Sequence, residues 1–144
     1  MTGEIARTRA APVRAAMIAP CGMNCGLCMA YRRVRNPCPG CRGTDSCKPK
    51  TRVVCRIKTC EKLVKGGFAY CSGCDTFPCA KLLHLDERYR KRYGMSMVEN
   101  LGHIRASGIR RFLRRERERW ACPRCGALLC VHKPRCDSCA YKWR

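Results

Sequence analysis

Apolar positions along the chain fall into two regimes. From Ala80 to Trp120 they recur with helical spacing and no cysteine interrupts them. Leu82, Leu83, Leu85, Tyr89 and Tyr93 predict a helix over Ala80–Tyr93, closed by Gly94. Ser96-Met97-Val98-Glu99 reads as a capping box, because a serine hydroxyl there can accept from the amide three residues on. Val98, Leu101 and Ile104 give the next helix its buried stripe, and Gly108 ends or kinks it. Ile109, Phe112, Leu113 and Trp120 supply the inner face of a third helix. Its outer face carries Arg110, Arg111, Arg114, Arg115, Arg117 and Arg119, with Glu116 and Glu118 among them to neutralise some of that charge.

Outside that segment large apolar residues are sparse, and cysteine, glycine and proline set the rhythm. Met29 to Arg35 predicts a short helix stopped by Asn36-Pro37. Thr51 predicts a cap for a helix from Arg52 to Lys65, with Val53, Val54, Ile57, Leu63 and Val64 on its apolar face and Gly66-Gly67 at its end. On one ideal helix Cys55 and Cys60 would point about 140° apart. Either they serve different sites, or the helix begins after Cys55. Leu128, Leu129 and Val131 predict a strand within short β-hairpins over 120–144. Residues 1–16 read as a disordered basic tail.

The fold class that follows is a small irregular α+β protein stapled by metal. Its parts are a cysteine-rich multi-metal module over 17–80, a helical segment over 81–119 and a zinc ribbon over 120–144. So few aliphatic residues cannot stabilise one large core unaided.

Sixteen cysteines make the staples credible. The first residues hold arginines and no apolar secretory stretch, and no run approaches transmembrane length, so a cytoplasmic setting is expected. Thiols stay reduced there, and paired CxxC units then read as metal ligands. Cys122, Cys125, Cys136 and Cys139 have the spacing of a ribbon around one structural Zn²⁺. Cys130 and His132 lie between the pairs. Either could replace a ribbon ligand or reach an upstream site; the bland alternative for His132 is a loop histidine. Cys55, Cys60, Cys71 and Cys74 form a second candidate group, and Cys21, Cys25, Cys28, Cys38, Cys41, Cys47 and Cys79 remain for others. Three or four zinc ions would use the full set. Spacing alone leaves the pairing open.

Cys21, Cys25 and Cys28 also resemble the CxxxCxxC cluster motif of radical-SAM enzymes, although nothing else in the chain does. An iron–sulfur or redox-active protein is therefore one alternative, and metal buffering is another. Dithiol redox pairs at Cys25/Cys28 or Cys38/Cys41 lack the βαβ context expected of them. No Ser/His/Asp set, phosphate-binding glycine loop or paired carboxylates appear, so a non-enzymatic role is expected. The formal charge of +21 would fall to about +13 if sixteen thiolates held four Zn²⁺ ions. Either value favours RNA, DNA or an acidic protein as partner. The arginine-rich helix, with Trp120, Tyr141 and Trp143 to stack on bases, is the candidate surface. A solvated charged face is the plain alternative.

Met17-Ile18-Ala19-Pro20-Cys21-Gly22 with Cys25 and Cys28, Cys38-Pro39-Gly40-Cys41, Cys55, Cys60, Cys71-Ser72-Gly73-Cys74 and Phe77-Pro78-Cys79 carry a resemblance. Together they resemble a prokaryotic family of small cysteine-rich proteins, common in anaerobes, that is known only as a domain of unknown function. The resemblance spans about residues 17–93. Tyr89, Tyr93-Gly94, Leu101 and the closing CPxCG ribbon look like its longer members. It implies metal binding in a cytosolic setting and no established activity.

Overall fold

The computed structural model describes residues 13–43, 48 and 55–144. Expectations for residues 1–12, Cys47, Thr51, Arg52, Val53 and Val54 lie outside the described residues. Among the described residues five α-helices follow in order: α1 Met29–Arg32, α2 Glu61–Gly66, α3 Ala80–Tyr93, α4 Met97–Ser107 and α5 Ile109–Arg119. Single 3₁₀ turns occur at Ala15–Met17, Cys25–Leu27 and Cys71–Gly73. None of the helices among the described residues is long and apolar enough to cross a membrane.

The α+β expectation is met only in part. Among the described residues the β component is three isolated antiparallel bridges, Ile18–Asn24, Ala121–Leu128 and Arg135–Lys142. The ribbon turns explain why. The Gly126 amide donates to the Cys122 carbonyl (2.8 Å) and the Ala140 amide to that of Cys136 (2.9 Å). Backbone groups spent on closing tight thiol-bearing turns are not available to a longer ladder.

The helix punctuation follows local chemistry. Gly94 closes α3 in the left-handed conformation (φ 66°), where a side chain would be costly. Ser96 caps α4 by accepting from the Glu99 amide at 3.1 Å. Buried Asp86 adds a contact across the joint. Its Oδ1 accepts from the Ser96 hydroxyl (2.6 Å) and the Val98 amide (3.0 Å), and its Oδ2 pairs with Arg90 (2.9 Å). Upstream, α2 starts only at Glu61 with Cys60 as its N-cap. The helix therefore begins after Cys55. Leu63 is buried but Val64 is exposed, contrary to the expected apolar face, because only one side of this short helix meets the protein. Likewise α1 stops at Arg32, three residues short of the expected end, and Leu83 faces solvent.

Every residue from Met17 to Cys28 is buried. This segment is the hub on which the other parts pack. The Asn100 amide donates to the Gly22 carbonyl (2.9 Å) and the Asn24 amide to Glu116 Oε2 (3.1 Å). Val131 N–H reaches the Leu27 carbonyl, and Cys71 N–H reaches that of Pro20, both at 2.9 Å. Gly22 makes this approach feasible. It has φ +92°, and a Cβ there would lie 2.7 Å from the Met97 carbonyl and 2.9 Å from Leu101 Cγ.

Two sequence expectations for α5 are corrected by this packing. Glu116 is not an exposed counter-charge; it is 1% exposed and points into the hub. Trp120 is not free to stack on a base: it is buried, and its ring meets that of Trp143 edge to face at 5.5 Å.

Candidate metal centre

The ribbon presents the tightest thiol group. Two CxxC turns face each other, with Cys122 Sγ 3.7 Å from Cys139 Sγ and Cys125 Sγ 3.6 Å from Cys136 Sγ. All four sulfurs lie within 4.8 Å of one another. A tetrahedral zinc with bonds of about 2.3 Å separates its sulfurs by about 3.8 Å, so the spacing fits a single ion. The Ser138 amide points at Cys136 Sγ from 3.4 Å, a contact that stabilises a thiolate. Burial opposes ionisation of Cys122, yet the amides of Cys125 and Arg124 and the thiols of Cys139 and Cys125 bring it down to about 7. Cys136 is also lowered, first by the Cys139 amide, against burial. Cys139 moves the other way, to about 11: the Tyr141 amide favours its thiolate, but burial and the thiols of Cys125, Cys122 and Cys136 prevail. The quartet thus shares protons that a cation would displace.

Cys130 and His132 stand outside this quartet. Cys130 is buried. The Met29 amide donates to His132 Nδ1 (3.2 Å), and Nε2 lies 2.9 Å from the Tyr89 hydroxyl. Its ring also meets that of Tyr93 edge-on at 4.8 Å. His132 therefore bridges the ribbon, α1 and α3.

The upstream thiols surround two cavities instead. Cys21, Cys41 and Cys55 line a space of about 570 Å³ together with Arg56, Lys81, His84 and Arg88. Cys60, Cys71, Cys74 and Cys79 line one of about 470 Å³ together with Lys62 and Lys81. Of the expected set, Cys60, Cys71 and Cys74 line the second cavity together with Cys79, while Cys55 lines the first and still lies close enough to act on the Cys71 thiol. The turn over 56–59 separates Cys55 from α2, while Cys79 is carried in as the residue preceding α3.

Burial pushes the Cys21 thiol up to about 12, with Cys41 adding to it. Cys71 rises to about 11 through burial and then the neighbouring thiols of Cys79, Cys60, Cys74 and Cys55. Cys25 is raised by its hydrogen bond to the Cys41 thiol and by burial. In the opposite direction, the Leu63 and Lys62 amides lower Cys60. Cys28, at the end of the hub, and Cys38 are both buried. Among the described residues, the upstream thiols form no group as tight as the ribbon's.

Residues 17–84 match the family model DUF3795, a protein of unknown function. No curated protein and no solved structure matches the chain. The DUF3795 region includes the hub and the cysteines from Cys21 to Cys79, and ends inside α3. It is shorter than the span to residue 93 expected from the resemblance, and the ribbon lies beyond it.

The arginines of α5 divide into two sets. Arg117 donates to the Val13 carbonyl (3.0 Å), Arg119 to that of Gly94 (3.1 Å), and Arg115 lies 3.2 Å from His103 Nδ1. Arg110, Arg111 and Arg114 are exposed, as are the three anchored arginines. Asn24, Asp86, Asn100 and Glu116 were missed as structural residues. The available signal for Glu116 was its i+4 spacing from Phe112, which keeps it on the apolar face.

Proposed function

We propose that the protein is a non-enzymatic zinc protein in which the ribbon metal fixes the C-terminal segment against the hub and α5 presents arginines to RNA or DNA. The ribbon sulfur spacing of 3.6 and 3.7 Å carries the metal half of this reading. The nucleic-acid half is supported by the charge of +21 and by exposed Arg110, Arg111 and Arg114 beside arginines anchored to the fold. Guanidinium groups held on a packed helix suit phosphate, since little further ordering is needed on binding.

The test is a salt titration of single-stranded RNA and duplex DNA binding with zinc-loaded protein. Affinity should fall linearly with log salt. The R110E/R111E/R114E variant should bind at least about tenfold more weakly with a shallower slope, as expected when phosphate contacts are lost. Binding insensitive to both would overturn the nucleic-acid reading. Capture of a polyglutamate in place of either nucleic acid would assign the surface to an acidic protein partner.

A further inference from the structure

We infer that Cys60, Cys71, Cys74 and Cys79 form a second centre, separate from the ribbon, that takes a cubane iron–sulfur cluster. Three local elements deliver these thiols to one cavity. Cys60 precedes α2, Cys71 opens the 3₁₀ turn with Cys74 just after it, and Cys79 precedes α3.

Size separates this centre from the ribbon. The ribbon sulfurs already stand at single-ion distance, 3.6 and 3.7 Å. The four thiols are among the residues that line a half-open cavity of about 470 Å³, and no three of them gather within 4.8 Å. A single tetrahedral ion requires sulfurs about 3.8 Å apart. A cubane cluster places each thiolate on a different iron, so its ligands stand farther apart around a larger body.

The surroundings suit an anionic group. Four thiolates on a cluster core leave a net negative charge, and Lys62 and Lys81 line the cavity. The Thr76 hydroxyl lies 3.1 Å from Cys74 Sγ, placed to donate to a thiolate. Asp75 is also near that sulfur, at 3.7 Å, but its carboxylate pairs with Lys62 at 3.7 Å. Leu63, Phe77 and Leu82 supply an apolar wall, which protects a cluster from water and helps set its potential.

The experiment uses the full chain, purified anaerobically and reconstituted with ferrous iron and sulfide, with zinc, iron and sulfide counted separately. The expected result is a brown chromophore with equal iron and sulfide, and a loss of roughly four of each per chain in both C79S and C74S. Retained ribbon zinc reports that these variants keep their fold, and also tests the ribbon reading independently. T76V leaves all four thiols in place and should lower the cluster's reduction potential, because it removes a hydrogen bond to sulfur. The inference is overturned if both cysteine variants keep the full iron and sulfide content. It is equally overturned if the cavity takes a sulfide-free zinc that C79S removes. Should the cysteine variants lose their ribbon zinc, an unchanged potential in T76V overturns it.

Discussion

The ribbon and the DUF3795 region both compensate for scarce apolar residues with cysteine, but they arrange it differently. In the ribbon, two turns place four sulfurs at single-ion spacing, and the other buried residues there are Trp120, Leu129, Cys130 and Val131. In the DUF3795 region, the buried segment from Met17 to Cys28 is held by polar side chains from distant helices, while the thiols spread around cavities. One part has the geometry to hold a metal ion. The other owes much of its own to packing and hydrogen bonds.

The largest expected effect comes from breaking the ribbon. Structural zinc in small thiolate sites contributes on the order of 10 kcal/mol of apparent binding energy. Cys136→Ser should release the ribbon zinc and remove hydrogen-exchange protection at the amides of Leu129 and Val131. Val131 N–H bonds to Leu27, so loosening should extend to the hub's ribbon side. Persisting protection at both amides after zinc loss would show that the ribbon holds by packing alone.

A smaller effect tests the hub without touching a thiol. In Gly22→Ala the new Cβ would meet the Met97 carbonyl at 2.7 Å from a backbone with φ +92°. Strain and overpacking together should cost about 2–4 kcal/mol, read by urea melts, with the ribbon zinc count unchanged. An unaltered melt would mean that α4 does not constrain the hub.

The smallest effect concerns Glu116. Glu116→Leu leaves the Asn24 amide without its acceptor and should cost about 1–3 kcal/mol, whereas Glu116→Gln keeps an acceptor. Burial raises the Glu116 carboxyl above the ordinary range, against the Asn24 hydrogen bond and nearby arginines. The folded state therefore holds this proton more tightly than the unfolded chain. Its contribution is full at low pH and declines as pH rises through the raised folded value. Thermal melts of Glu116→Gln across that range should lack this decline; a parallel decline would assign the pH dependence to another group.

The three long helices and their stops were legible because their causes are local. Ser96 caps within one turn, Gly94 adopts a conformation few other residues tolerate, and the apolar repeat of α4 needs no partner to be recognised. Glu116 was misread for the complementary reason. Its i+4 relation to Phe112 places it inward, but only Asn24, far away in sequence, supplies the hydrogen bond that makes a buried carboxylate tolerable. Trp120 was placed on the inner face correctly, but only the structure shows that Trp143 covers it and so withdraws it from base stacking.

By itself, the sequence determined that thiol chemistry dominates this protein, that a helical segment separates two cysteine-rich regions, and which four cysteines face one another in the ribbon. Those features rest on spacings within a turn or a hairpin, where short covalent geometry leaves few options. Only the tertiary structure shows that Cys79 lines one cavity with Cys60, Cys71 and Cys74, and that Cys55 lines the other with Cys21 and Cys41. Such grouping depends on how α2, α3 and the buried hub come together, and sequence distance does not encode a contact made by packing between separate elements.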